Sequence, residues 1–421
     1  MAQPHELADD VRDVLLSDVA IRIQLSPSNY RLAVERVETL AAWLDREGSE
    51  LAGRVVLVYA QGSMAINATI ASCLTGDECD IDAIAQLHLP SGTTPRQGLD
   101  LLYRSIKGEK GSRYYSVTRR NTRCVTVDYA EMHVDVTPAE LIPGRGPRVS
   151  HIFHHRPEEL GVPGERIVAN PYGFAEWFNA VTPRAVAFEK FFEARSRAMD
   201  SVLTKEAEAE DVPEQIPAYL KPPAVVALQL IKRNRNLRYE LRNGRRPPSV
   251  MLARRVAETG SGTGTPFDEL LYQARQLAGY FAEHQAHGRL VHVVNPTCPE
   301  DVFSDRWPAN LSEQGVYLDD LRFLVAQLER LERGADLETI ADVFSRLFGE
   351  NTSRMVIREF ADRSGESIAS GRLRSERSSG RVDLGRSGVV AAAASAPATS
   401  VRASPRHTFY GPSQPDGPSR N

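Results

Sequence analysis

The chain is poor in cysteine: four in 421 residues, Cys73, Cys79, Cys124 and Cys298. None pairs with another at a metal-ligand spacing and no secretory pattern precedes them, so neither a disulfide framework nor a zinc ribbon is expected. Reduced thiols in a cytoplasmic protein are the simplest account. No apolar run approaches the ~20 residues that span a bilayer, so no membrane insertion is expected. The formal net charge is −4, so a molecule-wide basic footprint for nucleic acid is missing, although a local basic groove stays open. Lysine is scarce, six of 51 cationic residues. From Asp362 to Asn421 large apolar residues also fade, leaving Ser, Arg, Gly, Ala and Pro, and the segment reads as a disordered tail.

What remains is 42% hydrophobic and 25% charged over the whole chain, enough for two packed domains ahead of the tail. The most informative stretch runs from Gln61 to Asp82, QGSMAINATIASCLTGDECDID, after the apolar run Val55 to Ala60. It reads as a strand ending in Gly-Ser, a helix, and a second strand carrying Asp80-Ile81-Asp82. Side chains at i and i+2 of a strand share a face, so two carboxylates converge while Ile81 turns into the core. Adjacent carboxylates with open coordination positions suit Mg²⁺ bridging substrate phosphates. Gly62 permits close backbone approach, and Ser63 can cap the following helix or bind an anion at its N-terminus. Asp135 alternates between Val134 and Val136 on an expected neighbouring strand, and three acids on adjacent strands make a two-metal centre.

Around this stretch the patterns are ordinary. Helices are expected before Gly53, over 94–107, and as a long aromatic-rich helix from Pro171 to Ala198; strands are expected over 114–118 and 123–129 around a polar turn. Arg119, Arg120 and Arg123 read as a solvated charged turn in preference to a phosphate groove. Pro138 to Arg166, with His151, His154 and His155, reads as a lid or base-contacting loop; no acidic or cysteine partner supports a metal site there. Ala224 to Arg235 forms a buried helix with Lys232 near its end, where a phosphate contact and compensation of the helix dipole are equally good accounts. Ser249 opens another helix. The segment 295–308 should anchor Phe303 and Trp307 in a core. The order of elements favours an α+β fold with a mixed sheet, and Arg406 to Gly411 is an aromatic patch in the tail suited to docking on a partner.

Taken together, QGSMAINATI with CDIDAIAQL, HVDVTPA, NPYGFAEWF, LQLIKRNR with PPSVMLA, and NPTCPEDVFSDRWP resemble the bacterial cGAS/DncV-like nucleotidyltransferases (CD-NTases) of CBASS anti-phage systems, within the polymerase-β-like superfamily. The resemblance spans roughly Ser26 to Trp307. The Ser63 to Asp80 spacing is longer than in the compact antibiotic-adenylyltransferase type. It implies a nucleotidyltransferase core over 1–180, a mainly helical domain over 181–361 and the tail over 362–421. It also implies that Asp80, Asp82 and Asp135 are catalytic and hold two Mg²⁺ ions, with Mn²⁺ as the alternative, and that Gln61, Gly62, Ser63, Lys232 and Ser249 bind nucleotide. Nucleoside triphosphates would be joined and closed into a cyclic di- or trinucleotide that switches on a separate effector; a regulatory protein would dock on the tail, and nucleic-acid activation is not indicated. A non-cyclising nucleotidyltransferase and an inactive nucleotide-binding scaffold are the alternatives. Against the first, no accessory basic module accompanies the core; against the second, all three acids are present.

Overall fold

The computed structural model describes residues 10–71, 79–159, 161–185, 221–240, 242, 244–260, 264–332 and 335–369, with three two-residue strands beyond. Its sheet has seven strands: β1 Val55–Ala60, β2 Cys79–Leu87, β3 Thr118–Arg120, β4 Val125–Asp128, β5 Met132–Leu141, β6 Ser150–His154 and β7 Glu165–Ala169. The order is β1-β2-β5-β4-β3, with β6 on β5 and β7 outside β6. Only β2 and β5 run parallel; the sheet is mixed, as the element order predicts.

One face of the sheet is closed by helices α2 (Pro27–Leu44) and α4 (Pro95–Lys107). Ile81, Ala83, Val125, Val127, Val134 and Val136 pack there against Val37, Leu40, Leu102 and Ile106. Thr94 caps α4 in a reciprocal box with Gln97, which is why that helix starts where Pro95 allows. The other face is left for the site.

A second core gathers helices α1 (Val11–Arg22), α5 (Pro171–Val181), α6 (Pro223–Tyr239), α7 (Ser249–Thr259), α8 (Pro266–Ala286), α9 (Leu311–Glu332), α10 (Leu337–Phe348) and α11 (Glu350–Ala369). The short hairpin β8 (Val294–Asn295) and β9 (Cys298–Val302) precedes Phe303 and Trp307, and both aromatics are buried in this core as expected. Packing and chain order part company at both ends of the first domain. Helix α1 is expected beside the nucleotidyltransferase core but lies in the helical one, because it is buried from Asp13 to Ala20 and its polar residues serve that side. Asp13 Oδ1 accepts the Phe267 N–H at 2.8 Å at the start of α8, and Arg363 of α11 donates to Asp18 at 2.6 Å.

Four further expectations are corrected. The aromatic helix stops at Val181, ahead of Pro183, where Thr182 leaves helical geometry; the rest of the expected helix, from Val186 on, lies outside the described residues. Tyr114 to Val117 are turns, not strand, because Tyr114 is drawn into the core edge-on to Trp43. The stretch read as a lid forms the ends of the sheet through β6 and β7 instead. Helix α11 continues to Ala369, past the expected start of the tail at 362. Beyond it Arg374–Ser375, Val382–Asp383 and Arg402–Ala403 pair as strands β10 to β12, and the patch 406–411 lies outside the described residues.

Burial pushes the Asp13 carboxyl up to about 6, against the Phe267 amide, which pulls the other way. A carboxyl raised on folding contributes most below its unfolded value, and that contribution is lost as pH rises through about 6. Asp13→Asn keeps the acceptor without the charge. It is expected to melt with the wild type near pH 4 and above it near pH 8, by about 1–3 kcal/mol. Thermal melts of both proteins at the two pH values check this, and a pH-independent difference would contradict it.

Candidate active site

The open face of the sheet carries the acids. Alternation turns Ile81, Ala83, Val134 and Val136 into the core beneath, so Asp80, Asp82 and Asp135 point away from it. The parallel register sets Asp82 beside Asp135 and Asp80 beside His133. Asp80 is exposed; Asp82 and Asp135 are half-buried. Burial first, then the Asp135 and Asp80 charges, push the Asp82 carboxyl up to about 7. Across β5, the antiparallel partner of Asp135 is Thr126, whose hydroxyl donates to Asp135 Oδ1 and accepts from Asn121 Nδ2 at 2.6 Å. Thr126 is not among the residues singled out from the sequence. Its signal is the one that marks Asp135: a polar residue alternating between two buried valines.

The Gly-Ser turn comes up against Asp82. Gln61 N–H donates to the Asp82 carbonyl at 2.8 Å. Gly62 has φ +59, and a Cβ there would stand 2.5 Å from Asp82 Oδ2, so both backbone conformation and space require glycine. The helix expected after Ser63 is a single turn, α3 (Gly62–Ala65), because Asn67 takes a left-handed conformation, φ 55, that ends it. The chain folds back instead: Ala68 N–H donates to the Ser63 carbonyl at 2.8 Å, and Thr69 Oγ1 donates to Ser63 Oγ at 3.3 Å. Residues 72–78, including Cys73, lie outside the described residues.

Helix α6 meets this turn from the other domain. Gln229 Nε2 donates to the Thr69 carbonyl at 2.8 Å and Lys232 Nζ to the Ala68 carbonyl at 2.6 Å. Lys232 is buried, and burial followed by the Arg235 charge pushes its amine down to about 7, while Asp82 pulls it back up. It sits about two turns before α6 ends at Tyr239, so compensation of the helix dipole no longer accounts for it. Arg235 Nη1 in turn donates to Ser249 Oγ at 3.0 Å and to the Pro247 carbonyl at 2.7 Å, which brings Ser249, the first residue of α7, to the Lys232 side. All of the residues named from the sequence thus gather at one seam between the sheet and the helical domain. Arg235 and Gln229, which hold them there, are visible only in three dimensions.

Other expected features fall elsewhere. Arg119 pairs with Asp128 at 2.5 Å and Arg120 with Asp100 at 2.9 Å, so both serve packing and surface pairing. His155 is buried between Arg120 and the Glu159 carbonyl, a structural role. Among the described residues no three His, Cys, Asp or Glu side chains form a ready-made metal cage. Mg²⁺ does not need one: it binds through one or two carboxylates and completes its shell with water and phosphate oxygens. Asp82 and Asp135, hard oxygen donors held side by side at a cost in mutual repulsion, fit such an ion. Among the described residues no helix is long and apolar enough to cross a membrane.

No protein-family model matches the chain. It is 33% identical over 415 residues to the cyclic dinucleotide synthase CdnG of Bradyrhizobium diazoefficiens, covering 97% of both chains. It is 20% identical over 344 residues to a c-di-GMP synthase of Roseivirga ehrenbergii, covering 80% of this chain and 84% of that one. Among solved structures it superposes on the Bradyrhizobium diazoefficiens CD-NTase CdnG in complex with GTP with a TM-score of 0.72 at 34% identity, over 84% of this chain and 99% of that one. Escherichia coli CdnC with ATP, at 13% identity and a TM-score of 0.53 over 80% and 97% of the two chains, shares the fold. The resemblance carried by the motifs is borne out: the chain belongs to the CD-NTases, the nucleotidyltransferases that make cyclic oligonucleotides.

Proposed function

We propose that this enzyme makes a cyclic dinucleotide and that GTP is among its substrates. The observation that carries this reading is the seam itself: Asp82 beside Asp135, closed over by Gly62 and within the field of Lys232. The substrate class follows the similarity to a cyclic dinucleotide synthase and to a related structure that binds GTP. Asp80, Asp82 and Asp135 would hold two Mg²⁺ ions. Such ions lower the pKa of an attacking hydroxyl and neutralise a leaving pyrophosphate. Gly62 and Ser63 offer backbone and hydroxyl to the donor triphosphate, Lys232 a point charge, and Ser249 a hydroxyl from the second domain. Thr126 holds the orientation of Asp135. Work in anti-phage signalling through a separate effector, in the cytoplasm, with a partner on the C-terminal segment, completes the proposal.

Incubation with all four nucleoside triphosphates and Mg²⁺, followed by chromatography and mass measurement, should give a phosphatase-resistant cyclic dinucleotide containing guanine. A linear polymer or a mononucleotide adduct would sink the reading. Asp80→Ala with Asp82→Ala should lower turnover by about 1,000-fold or more while the melting temperature holds or rises, since like charges are removed. Gly62→Ala should cost on the order of 100-fold in kcat by displacing Asp82, and should also lower the melting temperature because alanine is strained at this φ; unchanged kcat would show that the close approach is incidental. With Asp82 raised to about 7 in the metal-free protein, Mg²⁺ must displace a proton below that pH. Its affinity should then fall about tenfold per pH unit on the acid side and level off above, as read by metal titration of activity.

A further inference from the structure

A second cationic cluster lies at the same seam, on the Asp135 side and apart from the Lys232 contacts. Arg123, in the turn between β3 and β4, donates through Nη2 to Asp305 Oδ2 at 2.6 Å, tying the sheet domain to the segment after β9. The neighbouring Arg306 reaches the same carboxylate only at 3.9 Å. Its Nη2 is buried with no hydrogen-bond partner, and so is Arg123 Nε. Arg306 is half-buried, and burial followed by the charges of Arg123 and Arg245 lowers its pKa to about 10. Against three guanidinium groups stand Asp305 and Asp301, and Asp301 Oδ2 is already taken by the Asn170 N–H and Asn295 Nδ2. Two such donors on neighbouring guanidinium groups can serve an oxyanion, which accepts several charge-assisted hydrogen bonds at once.

The position of the cluster says which anion. Cys124 lies within electrostatic reach of Arg306 on one side and of Asp135 and Asp82 on the other. Arg245 and Arg246 are adjacent in the loop before α7; Arg246 acts on Lys232 and Arg245 on Arg306. Positive charge therefore runs along the seam, from Lys232 on the helical-domain side past the acids to Arg123 on the sheet side. Joining two nucleoside triphosphates requires holding two sets of phosphates, and one set is assigned to Gly62, Ser63 and Lys232.

Building on the nucleotidyltransferase reading above, we propose that Arg123 and Arg306 form a second phosphate subsite that holds the 5′-phosphates of the acceptor nucleotide. Asp305 occupies the subsite in competition with the phosphates and swings its share of Arg123 to them when they arrive. The neutralisation also favours closure, because it removes repulsion between arginines contributed by both domains.

The test separates acceptor from donor. A 2′,3′-dideoxynucleoside triphosphate acts only as donor: an acceptor ribose oxygen bonds to its α-phosphorus, the bond from that phosphorus to the bridging oxygen breaks, pyrophosphate leaves, and the hydroxyl proton goes to solvent. Transfer is measured from dideoxy-GTP to GTP and, separately, to guanosine, with the adenine pair run in parallel. Wild type is expected to prefer the triphosphate acceptor by about 10-fold or more. Arg306→Gln and Arg123→Gln should erase that preference, with transfer to GTP falling about 10-fold further than transfer to guanosine. Asp305→Asn, which removes the competing carboxylate, should raise it by about threefold. Equal loss with both acceptors, or a fall in preference in Asp305→Asn matching that of the arginine variants, would mean that the cluster only braces the domains and would overturn the proposal. No preference in the wild type would overturn it as well. Failure of the wild type to form any phosphodiester would instead refute the reading of the site on which the subsite rests.

Discussion

The parallel pairing of β2 with β5 is the constraint on which the rest depends. It places Asp82 and Asp135 side by side on a half-buried surface, where burial and the Asp135 charge disfavour the Asp82 carboxylate. Holding them together requires strong support from below. The buried Ile81, Ala83, Val134 and Val136, packed on α2 and α4, supply it, because a one-residue slip in either strand would send the aspartates into that core. Gly62 then closes on Asp82 from above, where any side chain would collide. The site is thus an arrangement of repelling groups held by a core that does not yield, and its unfavourable electrostatics are relieved by the ions and phosphates it would bind.

Helix α6 joins the two cores. A buried helix that carries Gln229, Lys232, Arg233, Asn234 and Arg235 would be costly if those groups were unpaired. Most of their donors end on backbone carbonyls. Gln229 and Lys232 reach Thr69 and Ala68 beside the Gly-Ser turn; Arg233 and Asn234 reach Phe348 and Leu347, the last carbonyls of α10; Arg235 reaches Pro247. Arg233 and Asn234 therefore cap a helix end that would otherwise be left with orphan acceptors. One helix thus ties the Gly-Ser turn to the helical domain.

The acids were legible in the sequence because strand alternation is a short-range rule: Asp80-Ile81-Asp82 and Val134-Asp135-Val136 each state which residues share a face. The mixed sheet, the start of α4 at Thr94 and the anchoring of Phe303 and Trp307 were legible for similar local reasons. The length of the helix after Ser63 was not, since Asn67 ends it with a conformation that many asparagines avoid. The turns at Tyr114 to Val117 were decided by a core contact with Trp43 that no local pattern contains.

By itself the sequence determined the family and which acids share a strand face, because motif residues and their spacing are properties of the chain. Only the tertiary structure decided who stands next to whom. It seated α1 with the helices at the far end of the chain, since its burial on all sides needed a larger core than the sheet offered. It also turned Lys232 from one cation on a helix into a group held between Ala68 and the field of Asp82. Those neighbours are more than 100 positions apart, and packing alone brings them together.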